Sequence, residues 1–207
     1  MRGFLAFVAV LPLLAACAEG GPSSAPARPA PSAPASTQAA AAAGTPAEPA
    51  SCSGRPTPAQ TEGPYFKSGS PERASLLESG LPGSQLQLSG RVLDRQCRPL
   101  SSVVLDFWQA DASGRYDNAG YRLRGHQSTT ADGSYILRTV IPGEYPGRTE
   151  HIHVKVAAPG NPVLTTQLYF PGVARNISDS IFDPALLVRL DDGAPTRGGA
   201  FDFVIPS

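Results

Sequence analysis

His151 and His153 bracket Ile152 in the run Arg148-Thr149-Glu150-His151-Ile152-His153-Val154-Lys155-Val156. Side chains of a β-strand alternate between faces with a period of two. The two imidazoles therefore project together, while Ile152, Val154 and Val156 take the other face. Neighbouring imidazoles on one face suit two ligands of one metal ion; a pair of solvated surface histidines has the same spacing. His126, the remaining histidine, is expected in a polar loop, without ligand spacing to the pair. Two tyrosines sit among Gly, Pro and polar residues rather than in apolar runs. Tyr116 belongs to Gly114-Arg115-Tyr116-Asp117-Asn118, and Tyr145 to Pro142-Gly143-Glu144-Tyr145-Pro146-Gly147-Arg148, a few residues before the histidines.

The elements that would position these groups are short strands. Leu86–Leu93, Val103–Trp108, Tyr135–Val140, His151–Val156, Leu164–Phe170, Leu186–Leu190 and Phe201–Ile205 are strand-like. Turn signals separate them at Asp132-Gly133, Pro142-Gly143, Pro159-Gly160, Pro171-Gly172 and Asp192-Gly193. Asp132-Gly133 is a hairpin signal. Only Glu72–Gly80 suggests a helix, with Leu76 and Leu77 facing inward. Many short strands at this spacing predict an all-β chain folded as an antiparallel β-sandwich with long loops.

The chain has 207 residues with 17 basic and 17 acidic side chains, for a formal net charge of +0. The basic residues are nearly all arginines, scattered rather than in a stripe, so nucleic acid is not expected as a partner. Arg2 and the apolar run Phe4–Ala16 read as a signal peptide, too short for a stable membrane span. The run ends in Leu14-Ala15-Ala16-Cys17, which resembles the lipobox of bacterial lipoproteins. That resemblance implies a lipid on Cys17 and export to the periplasm or cell surface, with the outer membrane favoured because Ala18, not aspartate, follows. Residues 18–50 are mostly Ala, Pro, Ser and Gly, with no Val, Ile, Leu, Phe, Trp or Tyr. Such a segment has nothing to bury against the entropy of ordering. The expected organisation is a signal peptide at 1–16, the lipidated cysteine and a disordered tether at 17–50, and a folded domain at 51–207. Of 3 cysteines, Cys17 belongs to the anchor, so Cys52 and Cys97 remain as a disulfide of an exported protein.

A family resemblance follows from longer runs. Gly90-Arg91-Val92-Leu93-Asp94, Phe107-Trp108-Gln109-Ala110-Asp111 with Gly114-Arg115-Tyr116-Asp117-Asn118, Tyr121-Arg122-Leu123-Arg124-Gly125, Thr130-Ala131-Asp132-Gly133-Ser134-Tyr135, Arg138–Pro146 and His151-Ile152-His153 resemble the intradiol ring-cleavage dioxygenases, the family of protocatechuate 3,4-dioxygenase and catechol 1,2-dioxygenase. Upstream, Gln60-Thr61-Glu62-Gly63-Pro64-Tyr65-Phe66 is similar to a motif of the same family, and the match covers most of residues 58–172. The cysteine pair resembles its exported branch. The resemblance implies a non-haem Fe(III) held by Tyr116, Tyr145, His151 and His153. It also implies Arg148 and Gln167 in the active site, Tyr145 as a ligand that leaves when substrate binds, and Trp108 beside the site. The implied partners are a catechol-type diol and O2, and the implied product is a muconate-type diacid. Arg148 has a second reading as a strand-end ion pair with Glu144 or Glu150, and Gln167 as a solvated strand residue. Only Pro146 and Gly147 separate Tyr145 from Arg148, where the family has a longer insertion, which implies a more open pocket. The competing function is a non-catalytic, transthyretin-like β-sandwich binding module tethered at the cell envelope. Such a module shares the strands and turns but has no need of His-x-His or Tyr116.

Export and lipidation are checked by mass spectrometry of the mature chain. The expected N-terminal residue is Cys17 carrying lipid; a mature N-terminus beyond Cys17 would contradict the anchor.

Overall fold

Alternation along the strands becomes two β-sheets packed face to face. The computed structural model describes residues 52–191 and 195–206. The expectations for residues 1–50, Cys17 among them, and for the Asp192-Gly193 turn lie outside the described residues. Among the described residues the strands are β1 (Gln85–Leu93), β2 (Val104–Gln109), β3 (Arg124–Ser128), β4 (Ser134–Val140), β5 (His151–Ala157), β6 (Leu164–Tyr169), β7 (Arg189–Leu190), β8 (Thr196–Ala200) and β9 (Phe203–Val204). One sheet has the order β3-β2-β5-β6 and is antiparallel throughout. The other has the order β4-β1-β8-β7, with β9 also pairing β1. The sandwich is as expected, except that β8 and β9 run parallel to β1.

The core lies between the sheets. Leu86 and Leu88 of β1 and Leu137 of β4 meet Leu105 and Phe107 of β2 and Ile152, Val154 and Val156 of β5, all fully buried. Burial of each such side chain is worth about 1.5–3 kcal/mol. This fixes β5 by its aliphatic face and leaves its histidine face turned outward.

Four sequence expectations need correction. Glu72–Gly80 is extended, not helical. Its backbone bonds reciprocally to β3 (Arg73 N to His126 O, 2.8 Å; His126 N to Pro71 O, 3.0 Å) and to β4 (Leu76 N to Arg138 O, 2.8 Å; Arg138 N to Ala74 O, 2.9 Å). Two sheet edges with unpaired backbone groups outcompete a short helix that is marginal in water; Leu76 is buried but Leu77 only partly so. Asp132-Gly133 makes a tight turn, with Thr130 N bonded to Ser134 O at 3.0 Å. The flanking strands do not form a hairpin, because β3 pairs with β2 and β4 with β1. His126 lies in β3, a strand with no apolar alternation to betray it. The expected strand Leu186–Leu190 is divided between a 3-10 helix, Pro184–Leu186, and β7.

Cys52 and Cys97 form a disulfide with Cα atoms 5.8 Å apart across 45 residues of sequence. It ties the start of the described chain to the turn after β1. Closing a loop of that length is worth about 4 kcal/mol in the chain-entropy model. The Cys52→Ser/Cys97→Ser double variant should therefore lose about 4 kcal/mol of unfolding free energy in denaturant titration, and an unchanged unfolding free energy would contradict it.

Candidate metal centre

Strand register on the outer face of the four-stranded sheet sets side chains in rows. His153 lies opposite Trp108 of β2 and Gln167 of β6, and Trp108 lies opposite Arg124 of β3. Paired residues project to the same side, so Arg124, Trp108, His153 and Gln167 form one row. His151 and Tyr169 form the next. These residues face away from the inter-sheet core, yet all are buried. The cover over the first row is the extended segment 58–67. Thr166 Oγ1 donates to Pro58 O at 2.7 Å, Gln60 N to Thr165 O at 2.8 Å and Gln167 Nε2 to Thr61 O at 2.9 Å. Phe66 packs edge-on against Trp108, and Tyr65 stacks on Tyr116 at 4.3 Å between centroids. Lys155 lies over the Phe66 ring, and Lys67 donates to Ala119 O at 2.7 Å.

Two loops bring the tyrosines. The Glu144 carbonyl occupies the space a Cβ on Gly114 would need, so the Tyr116 loop docks directly on the Tyr145 loop. Tyr145-Pro146-Gly147-Arg148 closes a tight turn, with Arg148 N bonded to Tyr145 O at 2.9 Å. Gly147 has φ 83° and open space around it. The left-handed backbone, not crowding, demands glycine there. The result brings together all four side chains expected as ligands. Ring centroids lie 5.8 Å apart for Tyr116–Tyr145, 5.6 Å for Tyr145–His151, 4.7 Å for His151–His153 and 6.4 Å for Tyr116–His153.

Protonation can be read from the partners. His151 Nδ1 lies 2.6 Å from the Thr149 carbonyl, which only accepts, so Nδ1 carries the proton and Nε2 is bare. That Nε2 faces His153 Nε2 at 3.1 Å. Burial lowers the His151 pKa to about 4, and burial with the neighbouring His151 holds His153 well below its usual range. Both are neutral, ligand-ready bases at neutral pH. Burial, followed by the nearby Tyr145, pushes the Tyr116 phenol well up, and its hydroxyl is buried without a partner. An orphaned buried polar atom costs about 1–3 kcal/mol; a multivalent cation would relieve it and favour the phenolate. Among the described residues no group of three or more His, Cys, Asp or Glu side chains could hold a metal. A metal here would need the phenol oxygens as well as the imidazole nitrogens. That donor set fits ferric iron, because two phenolates and one hydroxide cancel its charge in a buried site.

Arg148 is the correction within the site. It pairs with neither Glu144 nor Glu150: its Nε donates to Asp179 Oδ2 at 2.9 Å, while Glu144 is taken by Arg175 at 2.7 Å. One terminal amino group donates to Gln167 Oε1, and the other stands 3.5 Å from the Tyr145 hydroxyl. Gln167 is fully buried rather than solvated. Trp108 stacks flat on His153, 4.7 Å between centroids and 6° between planes. Sequence reasoning assigned no role to Asp179, Tyr169, Arg124 or Tyr65. Arg124 donates to Tyr65 O at 2.7 Å and to Asp117 O at 3.1 Å, joining the covering segment to the Tyr116 loop. Tyr65 and Arg124 lie within the runs Gln60–Phe66 and Tyr121–Gly125 that carry the family resemblance; nothing in the sequence marks Asp179, which is distant from them all.

Known proteins resemble this chain in sequence and fold. A family model described as Dioxygenase matches residues 61–205. The chain is 29% identical over 175 residues to hydroxyquinol 1,2-dioxygenase of Nocardioides simplex, covering 70% of this chain and 60% of that enzyme. It thus spans about three fifths of that relative's length. Among solved structures, the dioxygenase domain of a dioxygenase and carbohydrate-binding protein fusion from Streptomyces sp. SirexAA-E is 60% identical, with TM-score 0.72, covering 73% of this chain and 99% of that one. The 3-chlorocatechol 1,2-dioxygenase of Rhodococcus opacus is 31% identical, with TM-score 0.69, covering 73% and 72%.

The buried histidines set an acid limit. Unfolded, His151 titrates near 6.5; folded, near 4. Below 6.5 the unfolded chain binds more protons, so stability rises with pH across this window. The metal-free protein should hold its stability above about pH 6.5 and lose it progressively towards pH 4. Denaturant unfolding at stepped pH checks this, and His151→Gln should flatten the slope.

Proposed function

The chain belongs to the intradiol ring-cleavage dioxygenase family, and from that membership we propose that it is a non-haem ferric-iron enzyme. It uses O2 to cleave the bond between the two hydroxylated carbons of a catechol-type substrate, giving a muconate-type diacid. The observation that carries this reading is the meeting of the His151 and His153 Nε2 atoms, 3.1 Å apart, with the Tyr116 and Tyr145 rings beside Arg148. A non-catalytic sandwich module has no use for that assembly. The hydroxyquinol and chlorocatechol dioxygenases among its relatives support the substrate class.

Tyr116, Tyr145, His151 and His153 would hold the iron, which supplies Lewis acidity towards both substrate hydroxyls and the reactivity towards O2. The protein's own groups do the rest. Tyr145, on its exposed turn, takes a substrate proton at its phenol oxygen, while Tyr116 keeps its hydroxyl buried and its ring stacked on Tyr65. Arg148 opposes negative charge that develops on the ring and the incoming oxygen. Gln167, with its Nε2 committed to Thr61 O, presents Oε1 to Arg148 and so helps to hold the guanidinium beside Tyr145. Tyr65, Phe66 and Trp108 keep water from the histidine side. We further infer from residues 1–50 that the enzyme is exported and held to a membrane through Cys17.

The test is O2 uptake by the purified, iron-loaded chain with catechol, protocatechuate and hydroxyquinol. Intradiol diacid products and a visible tyrosinate-to-iron colour are expected. Arg148→Ala should keep iron and colour while losing about 10²–10³ in turnover. Full iron occupancy without O2 uptake on any vicinal diol would favour a metal carrier instead.

A further inference from the structure

Asp179 has a fully buried side chain, presented just after the 3-10 helix Ala174–Ile177. Its Oδ2 accepts from Arg148 Nε and from the Thr149 backbone N–H, each at 2.9 Å, and its Oδ1 accepts from Ile181 N–H at 3.1 Å. The segment bearing it is fastened to the site loop at two further points. Arg175 pairs with Glu144 at 2.7 Å, and Thr149 Oγ1 donates to Asn176 Oδ1 at 2.6 Å. Arg148 is itself mostly buried, at 15% side-chain exposure. A buried guanidinium requires a counter-charge. Glu144 is already engaged and Glu150 makes no ion pair with Arg148, which leaves Asp179 to supply it.

Geometry gives this pair a second consequence. The guanidinium is planar, with its donors in a rigid fork. Holding Nε against Asp179 turns the two terminal amino groups towards the opposite edge, where Gln167 Oε1, the Tyr169 hydroxyl and the Tyr145 hydroxyl lie. Tyr169 is locked in turn, its hydroxyl 3.1 Å from both Gln167 Oε1 and Ile181 O. Among the described residues Asp179 makes no hydrogen bond to any of the four candidate ligands. It bears on the Tyr145 side of the site through Arg148, and its bond to the Thr149 N–H also steadies the residue whose carbonyl meets His151 Nδ1.

We propose that Asp179 is a positioning residue for ring cleavage: it holds Arg148 with its terminal amino groups facing the diol, so that losing it lowers turnover without releasing iron or substrate. The inference rests on the catechol-cleaving reading above. The test uses the full chain loaded with ferric iron and catechol as substrate. Asp179→Asn keeps the shape and removes the charge. It should retain iron content and visible colour, and bind catechol without O2, followed by the shift of that colour, with Kd within about threefold of wild type. Its kcat should fall between about 10- and 100-fold, the range for displaced supporting groups. Asp179→Glu restores a carboxylate one methylene further out and should lose less. In an Arg148→Ala background Asp179→Asn should change kcat less than about twofold.

Loss of iron colour in Asp179→Asn would make Asp179 a support of the metal site and overturn the proposal. So would an unchanged kcat, or an equal loss in the Arg148→Ala background. Should Asp179→Asn fail to fold, Asp179→Glu decides: a reduced kcat with colour kept supports the proposal, and a wild-type kcat overturns it. A wild-type chain that binds iron but consumes no O2 with any vicinal diol overturns the functional reading itself. Wild-type turnover with an unaffected Asp179→Asn overturns this inference alone.

Discussion

The burial of two neutral imidazoles on the outer face of a β-sheet shapes much of what surrounds them. A face carrying His151, His153, Gln167 and Arg124 would ordinarily be left to water, because buried polar groups need partners. Here the face is covered, and the cover supplies those partners: the Thr61 carbonyl for Gln167 and the Tyr65 carbonyl for Arg124. What remains unpaired is concentrated where a metal would fit. Of the four buried side-chain atoms without a partner among the described residues, Tyr116 Oη and His153 Nδ1 belong to candidate ligands, and Trp108 Nε1 belongs to the ring stacked on His153.

The two faces of β5 divide the work. Ile152, Val154 and Val156 anchor the strand in the inter-sheet core, and that packing makes the strand a rigid mount for the histidines between them. Site geometry held by a packed strand is more accurate than geometry held by loops. The tyrosines do come from loops, but these loops are wedged together, with Gly114 against the Glu144 carbonyl and Tyr65 stacked on Tyr116. Charge is handled similarly. The site holds Arg148 and Arg124 close to a cation's place, and each is committed elsewhere: Arg148 to Asp179, and Arg124 to the backbone carbonyls of Tyr65 and Asp117.

Much of this was legible beforehand for local reasons. Period-two alternation placed His151 and His153 on one face and the aliphatic residues on the other. Gly- and Pro-rich surroundings put Tyr116 and Tyr145 in loops, and the leftover pair of cysteines pointed to Cys52–Cys97. The same local logic failed where backbone hydrogen bonding is non-local. Glu72–Gly80 has a helix-like pattern but pairs with two sheet edges, and Arg124–Ser128 has no strand pattern but pairs with β2 across Asp106↔His126.

Residue types and spacing by themselves determined most of the strands and the shared face of His151 and His153, and motif order pointed to the family and through it to the ligand set, because alternation and motifs are written in contiguous residues. Only the tertiary structure decided the partner of Arg148. Glu144 and Glu150 are close to it in sequence, yet Asp179, 31 residues away, makes the ion pair. Choice among carboxylates depends on which one the chain carries into the same desolvated space, and sequence distance does not encode that. The same holds for the cover over the histidines: a polar sheet face is buried only when a remote segment is laid across it, and that is settled by three-dimensional packing.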